Sequence, residues 1–166
     1  MKKSTRVSSL IIVSFFLLLC QRVFPALPNI QEPDNPAIRY TGRIDFNNPK
    51  RPRLSNAGSY FQVRFRGTAC ELLLEDQNMY RRYHNYISIV VDGKYTGRIK
   101  VVHNQMHYPI ASGLADTLHT LFVCKASEAQ IGYIEFQGMQ CSELLPVETV
   151  PTRRIEFIGN SITCGP

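Results

Sequence analysis

The sequence predicts an all-β protein, an antiparallel β-sandwich of the jelly-roll type. Three observations predict it. Short apolar runs with period-2 alternation recur along the chain, turn residues separate them, and no segment carries convincing helical amphipathicity. Short strands at regular spacing are the pattern of sandwiches and jelly rolls. With 166 residues and 44% hydrophobic content, the chain is long enough to bury a core of one ordinary domain with appendages.

The elements follow in order. Residues 27–37 (LPNIQEPDNPA) hold Pro28, Pro33 and Pro36 among polar residues and read as a linker or irregular lead-in. Ile38 to Phe46 alternates around Gly42, and Asn47-Asn48-Pro49 ends it. Tyr60 to Phe65 puts Phe61, Val63 and Phe65 on one face and Gln62 and Arg64 on the other. Cys70 to Glu75 (CELLLE) is more continuously apolar, as a central strand would be. Tyr86 to Val91 stops at Asp92-Gly93, a favoured hairpin turn because both residues tolerate positive φ. Tyr95 to Val102 is the return strand, and Leu118 to Cys124 and Ile131 to Phe136 are two more. The single helix candidate is Ser112 to Leu118. The sandwich is expected over residues 38–145.

The first 26 residues read as a signal peptide. Lys2, Lys3 and Arg6 precede an apolar run of ten residues, Leu10 to Leu19. That run is too short for a membrane span, which needs ~20 residues, and fits a signal h-region. Ala26 is the candidate last residue removed, although Phe24 is not the small residue expected before it. Cys20 directly after Leu17-Leu18-Leu19 raises lipidation as an alternative, the one route by which a membrane partner is expected. The expected location is therefore periplasmic or extracellular, with or without a lipid anchor. The segment carries four basic residues and no acid, so its removal takes the formal charge from +6 to +2. The high pI thus reflects export in part, and no nucleic-acid partner is expected. Arg81-Arg82 and Lys50-Arg51-Pro52-Arg53 read as solvated loop charges.

Export implies an oxidising compartment. Cys70, Cys124, Cys141 and Cys164 show no metal-ligand spacing; a buried free thiol is the default for Cys70 and Cys124, and any pairing stays open. No metal and no cofactor are expected. His119 lies in a strand, where it packs or hydrogen-bonds, and His103 and His107 flank a turn. Tyr80, Tyr83, Tyr86 and Tyr108 are either a sugar-binding platform or ordinary edge packing.

After Pro146 the character changes. Residues 146–152 (PVETVPT) read as a connector, and residues 153–166 start a second unit. Ile155 to Ile158 is a short apolar strand running into Gly159-Asn160-Ser161. Glycine allows a tight turn without a Cβ clash. A serine at the carboxyl edge of such a strand is exposed where open α/β sheets place their sites. A helix following it would offer backbone N–H groups to an oxyanion. Ser161 is placed as a nucleophile would be, yet it needs an imidazole within hydrogen-bond reach.

The run RIEFIGNSITCG (Arg154 to Gly165) resembles the first block of the SGNH (GDSL-type) hydrolases, in the form found in carbohydrate esterase family 2. Gly42 to Thr68, Tyr86 to Gly93 and Leu118 to Gly138 resemble that family's N-terminal jelly roll, so the likeness covers roughly residues 38–165. It implies a serine esterase that removes acetyl groups from plant polysaccharides such as xylan, with an acetylated polysaccharide as partner. By the resemblance Ser161 is the nucleophile, its backbone N–H joins the oxyanion hole, and Gly159 and Asn160 complete the motif. Asn160 stands where the family usually has aspartate. The family's catalytic histidine and remaining oxyanion donors belong to later blocks, and none of His84, His103, His107 and His119 matches that base. The chain is therefore expected to be an N-terminal fragment, inactive alone, with residues 153–166 poorly ordered or packed loosely on the β domain for want of a sheet to join. The alternatives are a non-catalytic carbohydrate-binding module and a purely structural sandwich. Oligomeric state has no signature in the sequence.

Overall fold

The computed structural model describes residues 29–148 and residue 159. The leader, the strand expected over Ile155–Ile158, Asn160, Ser161, Cys20 and Cys164 lie outside the described residues.

Twelve strands are found among the described residues: β1 (Ile30–Gln31), β2 (Arg39–Thr41), β3 (Ile44–Asp45), β4 (Arg53–Leu54), β5 (Tyr60–Arg66), β6 (Cys70–Asp76), β7 (Tyr86–Val91), β8 (Lys94–Lys100), β9 (His107–Ala111), β10 (Leu118–Lys125), β11 (Ile134–Gln140) and β12 (Glu143–Leu145). They form two antiparallel sheets. One has the order β3-β4-β11-β6-β9, with β1 also on β11; the other has the order β12-β5-β10-β7-β8, with β2 also on β5. This is the antiparallel sandwich the alternation predicts.

The long strands follow their alternation. Phe61, Val63 and Phe65 of β5, Leu121 and Val123 of β10, and Ile87, Ile89 and Val91 of β7 are buried from the second sheet. Leu72, Leu74, Ile134, Phe136 and Met139 meet them from the first. Phe61 and Phe136 stack across the sandwich at 4.5 Å between centroids. Tyr40 packs on both rings, and its hydroxyl donates to the Pro33 carbonyl, which ties the lead-in to the core. β6 lies between β11 and β9, in keeping with its continuous apolar run.

The side of β5 away from β10 is shared between two strands. β2 pairs with its first half, Arg39 opposite Gln62, and β12 with its second half, Leu145 opposite Arg64. Two short strands from the two ends of the domain thus lie end to end along one side of β5.

Several expectations are corrected. Ser112 to Leu118 is not helical: Gly113 takes φ 67° and the Leu114 N–H bonds the Thr68 carbonyl, so no helical turn forms. Ile38 to Phe46 is divided between β2 and β3, which belong to different sheets, and Gly42 at φ 99° turns the chain between them. Ile131 belongs to a 3-10 turn (Ala129–Ile131), and the strand begins at Ile134. β9 has no clear sequence signal because Pro109 interrupts it; it is an edge strand, where a missing N–H is tolerated. The lead-in contributes β1, paired with Met139 and Gln140. Gly138 sits at a bulge with φ 131°, and β1 crosses close beside it.

Candidate functional site

Of the motif residues, Gly159 is described and exposed. The imidazoles are all described, and each has a carboxylate neighbour within the sandwich. Nδ1 of His84 lies 3.4 Å from Asp76, that of His103 3.0 Å from Glu75, and that of His107 3.0 Å from Glu71. His119 is the most constrained, with Nδ1 2.7 Å from Asp92 Oδ2 and Nε2 2.9 Å from the Ala115 carbonyl. The Ala115 carbonyl and then Asp92 hold its pKa above the usual value. Asp92 in turn is held below its usual value: burial opposes this, and the bonds from His119 and from the Thr120 N–H outweigh it. These contacts are what β-strand placement dictates, since Glu71 and Glu75 share one face of β6.

The three described cysteines are free; Cys70 and Cys141 are buried, and Cys124 is partly exposed. Tyr108 is a core residue, 2% exposed, whose hydroxyl accepts from the Val102 N–H at 2.7 Å and donates to the Val102 carbonyl. Tyr83 and Tyr86 have a different setting.

At one end of the sandwich a buried polar network joins three loops. Asp76 Oδ1 accepts from Asn85 Nδ2 at 2.7 Å, and Ser127 donates to Asn85 Oδ1 at 2.7 Å. Lys125, 1% exposed, donates through Nζ to the carbonyls of Ser127 and Glu128. Burial pushes its ammonium down to about 8, partly offset by the Asp76 charge. The signal for this residue was in the alternation: His119, Leu121 and Val123 point inward, and Lys125 continues the series.

Outside this network an open cleft of ≈ 620 Å³ runs between the edge of the second sheet and two loops. Its walls include Arg82, Tyr83, Tyr86, Arg98, Lys100 and Glu128. The Arg98 guanidinium lies 4.1 Å over the Tyr86 ring, and that of Arg82 5.7 Å from the Tyr83 ring. The adjoining turn, Met79–Arg81, holds Tyr80 and Arg81 at positive φ, Asn78 just before it is also at positive φ, and Tyr80 is 77% exposed. Non-glycine residues in this conformation are strained and cluster at ligand-facing loops. Arg81 and Arg82 are both exposed, as expected of loop charges, and Arg82 also lines the cleft, which forms where β7, β8 and the β10–β11 loop meet.

A second groove, ≈ 300 Å³, lies on the outer face of the same sheet among Gln62, Arg64, Val90, Thr120, Phe122 and Val147. Tyr60 and Phe122 pack there at 4.6 Å. Arg64 pairs with Glu148, so the chain leaves β12 across this face.

Known proteins share this architecture. The family model for the carbohydrate esterase 2 N-terminal domain matches residues 40–151. The chain is 34% identical over 133 residues to the cellulase/esterase CelE of Acetivibrio thermocellus, covering 79% of this chain and 16% of that protein. A family two carbohydrate esterase from Clostridium thermocellum, solved in complex with cellohexaose, superposes with a TM-score of 0.68 at 32% identity, covering 76% of this chain and 38% of the other. The family two esterase from Cellvibrio japonicus shares the fold, with a TM-score of 0.73 at 19% identity over 82% of this chain and 40% of its own. The chain therefore spans well under half the length of these relatives.

Proposed function

The chain belongs to the carbohydrate esterase 2 N-terminal family, and on that premise we propose that it is the N-terminal part of an exported esterase that removes acetyl groups from plant polysaccharides such as xylan. The observation that carries this is the family match over residues 40–151 followed directly by the strand-like run into Gly159-Asn160-Ser161. In this reading the Ser161 hydroxyl attacks the acetyl carbonyl and its proton passes to an imidazole. The sugar hydroxyl leaves with that proton, and water then releases acetate from the serine. The Ser161 N–H donates to the oxyanion. The four histidines present are each held against a carboxylate of the sandwich. The base is therefore proposed to come from outside residues 1–166.

The test is acetate release from acetylated xylan. The chain alone should match its Ser161→Ala variant. Joined through residue 166 to the remaining hydrolase portion of the Clostridium thermocellum family two esterase, it should turn over, and Ser161→Ala should abolish that turnover. Turnover by the chain alone that Ser161→Ala removes would sink the imported base. A folded chimera indifferent to Ser161→Ala would sink the nucleophile.

A second reading is favoured by the tyrosine- and arginine-lined cleft: the sandwich itself binds carbohydrate without catalysis.

A further inference from the structure

We propose that the cleft of Arg82, Tyr83, Tyr86, Arg98 and Lys100 binds a saccharide carrying a carboxylate, a uronic acid unit. The proposal rests on the second reading above, that the sandwich binds carbohydrate, and is independent of the esterase reading.

Two features of the cleft select this chemistry. The first is unspent positive charge. Among the described residues, Arg51, Arg53, Arg64 and Arg66 have carboxylate partners. Arg82 and Arg98 lie over aromatic rings instead. A guanidinium held beside a ring and not engaged by a carboxylate keeps N–H donors for a planar anion, and a carboxylate matches that fork. Lys100 stands directly opposite Tyr86 across the β7–β8 ladder, adding a second charge on the same outer face. Glu128 is the one acid among the residues lining the cleft.

The second feature is the rings. Tyr83 is 44% exposed and Tyr86 half-buried at the cleft wall. A pyranose presents an apolar C–H face that an aromatic ring covers, whereas phosphate or sulfate offers no such face. The cleft volume is in the range of small-ligand sites and takes a short oligosaccharide. Its floor is fixed: Lys125 and Ser127 hold the β10–β11 loop from below through Nζ–carbonyl and hydroxyl–Asn85 bonds. A preorganised wall loses less entropy on binding than a mobile one.

The competing account of the same charges is protection of a sheet edge. β8 is terminal in its sheet and carries Lys94, Arg98 and Lys100, as aggregation-resistant edges do. Edge protection accounts for the charges of β8; it does not account for Arg82, which lines the cleft with Tyr83 from the loop before β7.

The test is affinity electrophoresis and calorimetry with the full chain. The probes are a glucuronic-acid-bearing xylo-oligosaccharide, the same compound with its carboxyl reduced to the alcohol, an oligogalacturonate and dextran sulfate. The acidic xylo-oligosaccharide or the oligogalacturonate should bind, and the tighter of the two identifies the source of the uronate. Carboxyl reduction and Arg98→Gln should each weaken binding by about tenfold or more, the loss of one charge-assisted contact. Arg82→Gln, placed on a loop, is the second variant should Arg98→Gln disturb β8. Equal affinity for the acid and the alcohol, unchanged binding in both folded variants, or equal retention on dextran sulfate would each overturn the uronate assignment. Absence of binding to every saccharide would overturn the second reading with it and leave the esterase reading standing.

Discussion

His119 Nδ1 lies 2.7 Å from Asp92 Oδ2, and this contact fastens the β7–β8 hairpin turn to strand β10. Asp92 Oδ1 takes the Thr120 N–H at 2.8 Å on the same turn, so one carboxylate joins both sides. With the Ala115 carbonyl accepting from Nε2, both ring nitrogens have acceptors and the imidazolium is favoured.

The sign of the pH dependence follows. The folded His119 pKa is raised above 6.5, so its contribution is complete below that value and is lost as pH rises through the folded pKa. Asp92 is lowered from 3.8, so its contribution is present above that value and lost as pH falls. The urea midpoint should decline as pH rises above about 6.5, and His119→Gln should flatten that decline. Identical slopes in the two proteins would remove His119 as the cause.

Phe136 is fully buried and stacks on Phe61 of the opposite sheet. Phe136→Ala leaves a cavity at the centre of the sandwich and should cost about 3–5 kcal/mol in denaturant unfolding. A loss under about 1 kcal/mol would mean the two sheets close over the gap.

Gly138 stands at φ 131°, and a Cβ there would lie 2.8 Å from the Gln31 carbonyl oxygen and 3.0 Å from Ile30. Gly138→Ala should destabilise by about 1–3 kcal/mol and release β1. Hydrogen exchange reads this directly, as faster exchange at Ile30 and Gln31 while β5 and β10 stay protected.

Cys70 and Cys141 are buried, and burial drives the Cys70 thiol well above its usual value and that of Cys141 up to about 11. Neither forms thiolate near neutral pH, and alkylation needs the thiolate. Peptide-resolved labelling should leave both unmodified in the native chain and modify both in denaturant. Labelling of Cys70 at the rate of a free thiol would show that the edge strand β9 opens away from β6.

The long strands were legible because alternation states which side chains face inward, and Phe61, Val63 and Phe65 do so. The hairpin at Asp92-Gly93 was legible because few residue pairs tolerate its positive φ values. β1, β3 and β4 have two residues each, too few to show a period. The cleft was hidden for another reason. Arg82, Arg98 and Gln130 are far apart in sequence, and only the strand order brings them together. The turn before Arg82 contains Tyr80 and Arg81 at positive φ, a conformation that composition does not announce.

Leu145 and Arg39 face residues only two apart on β5, so they are separated by about 7 Å along that edge. From β2 to β12 the sandwich is in effect a closed loop of chain whose seam lies in the middle of one strand. A circular permutant that bridges the seam with a short linker and opens the chain at the Asp92-Gly93 turn would keep every long strand pairing except the β7–β8 turn itself. The segment from Arg39 to Leu145 is therefore the part that closes on itself, while β1 stands outside the loop as a strap from the lead-in to β11 on the other sheet.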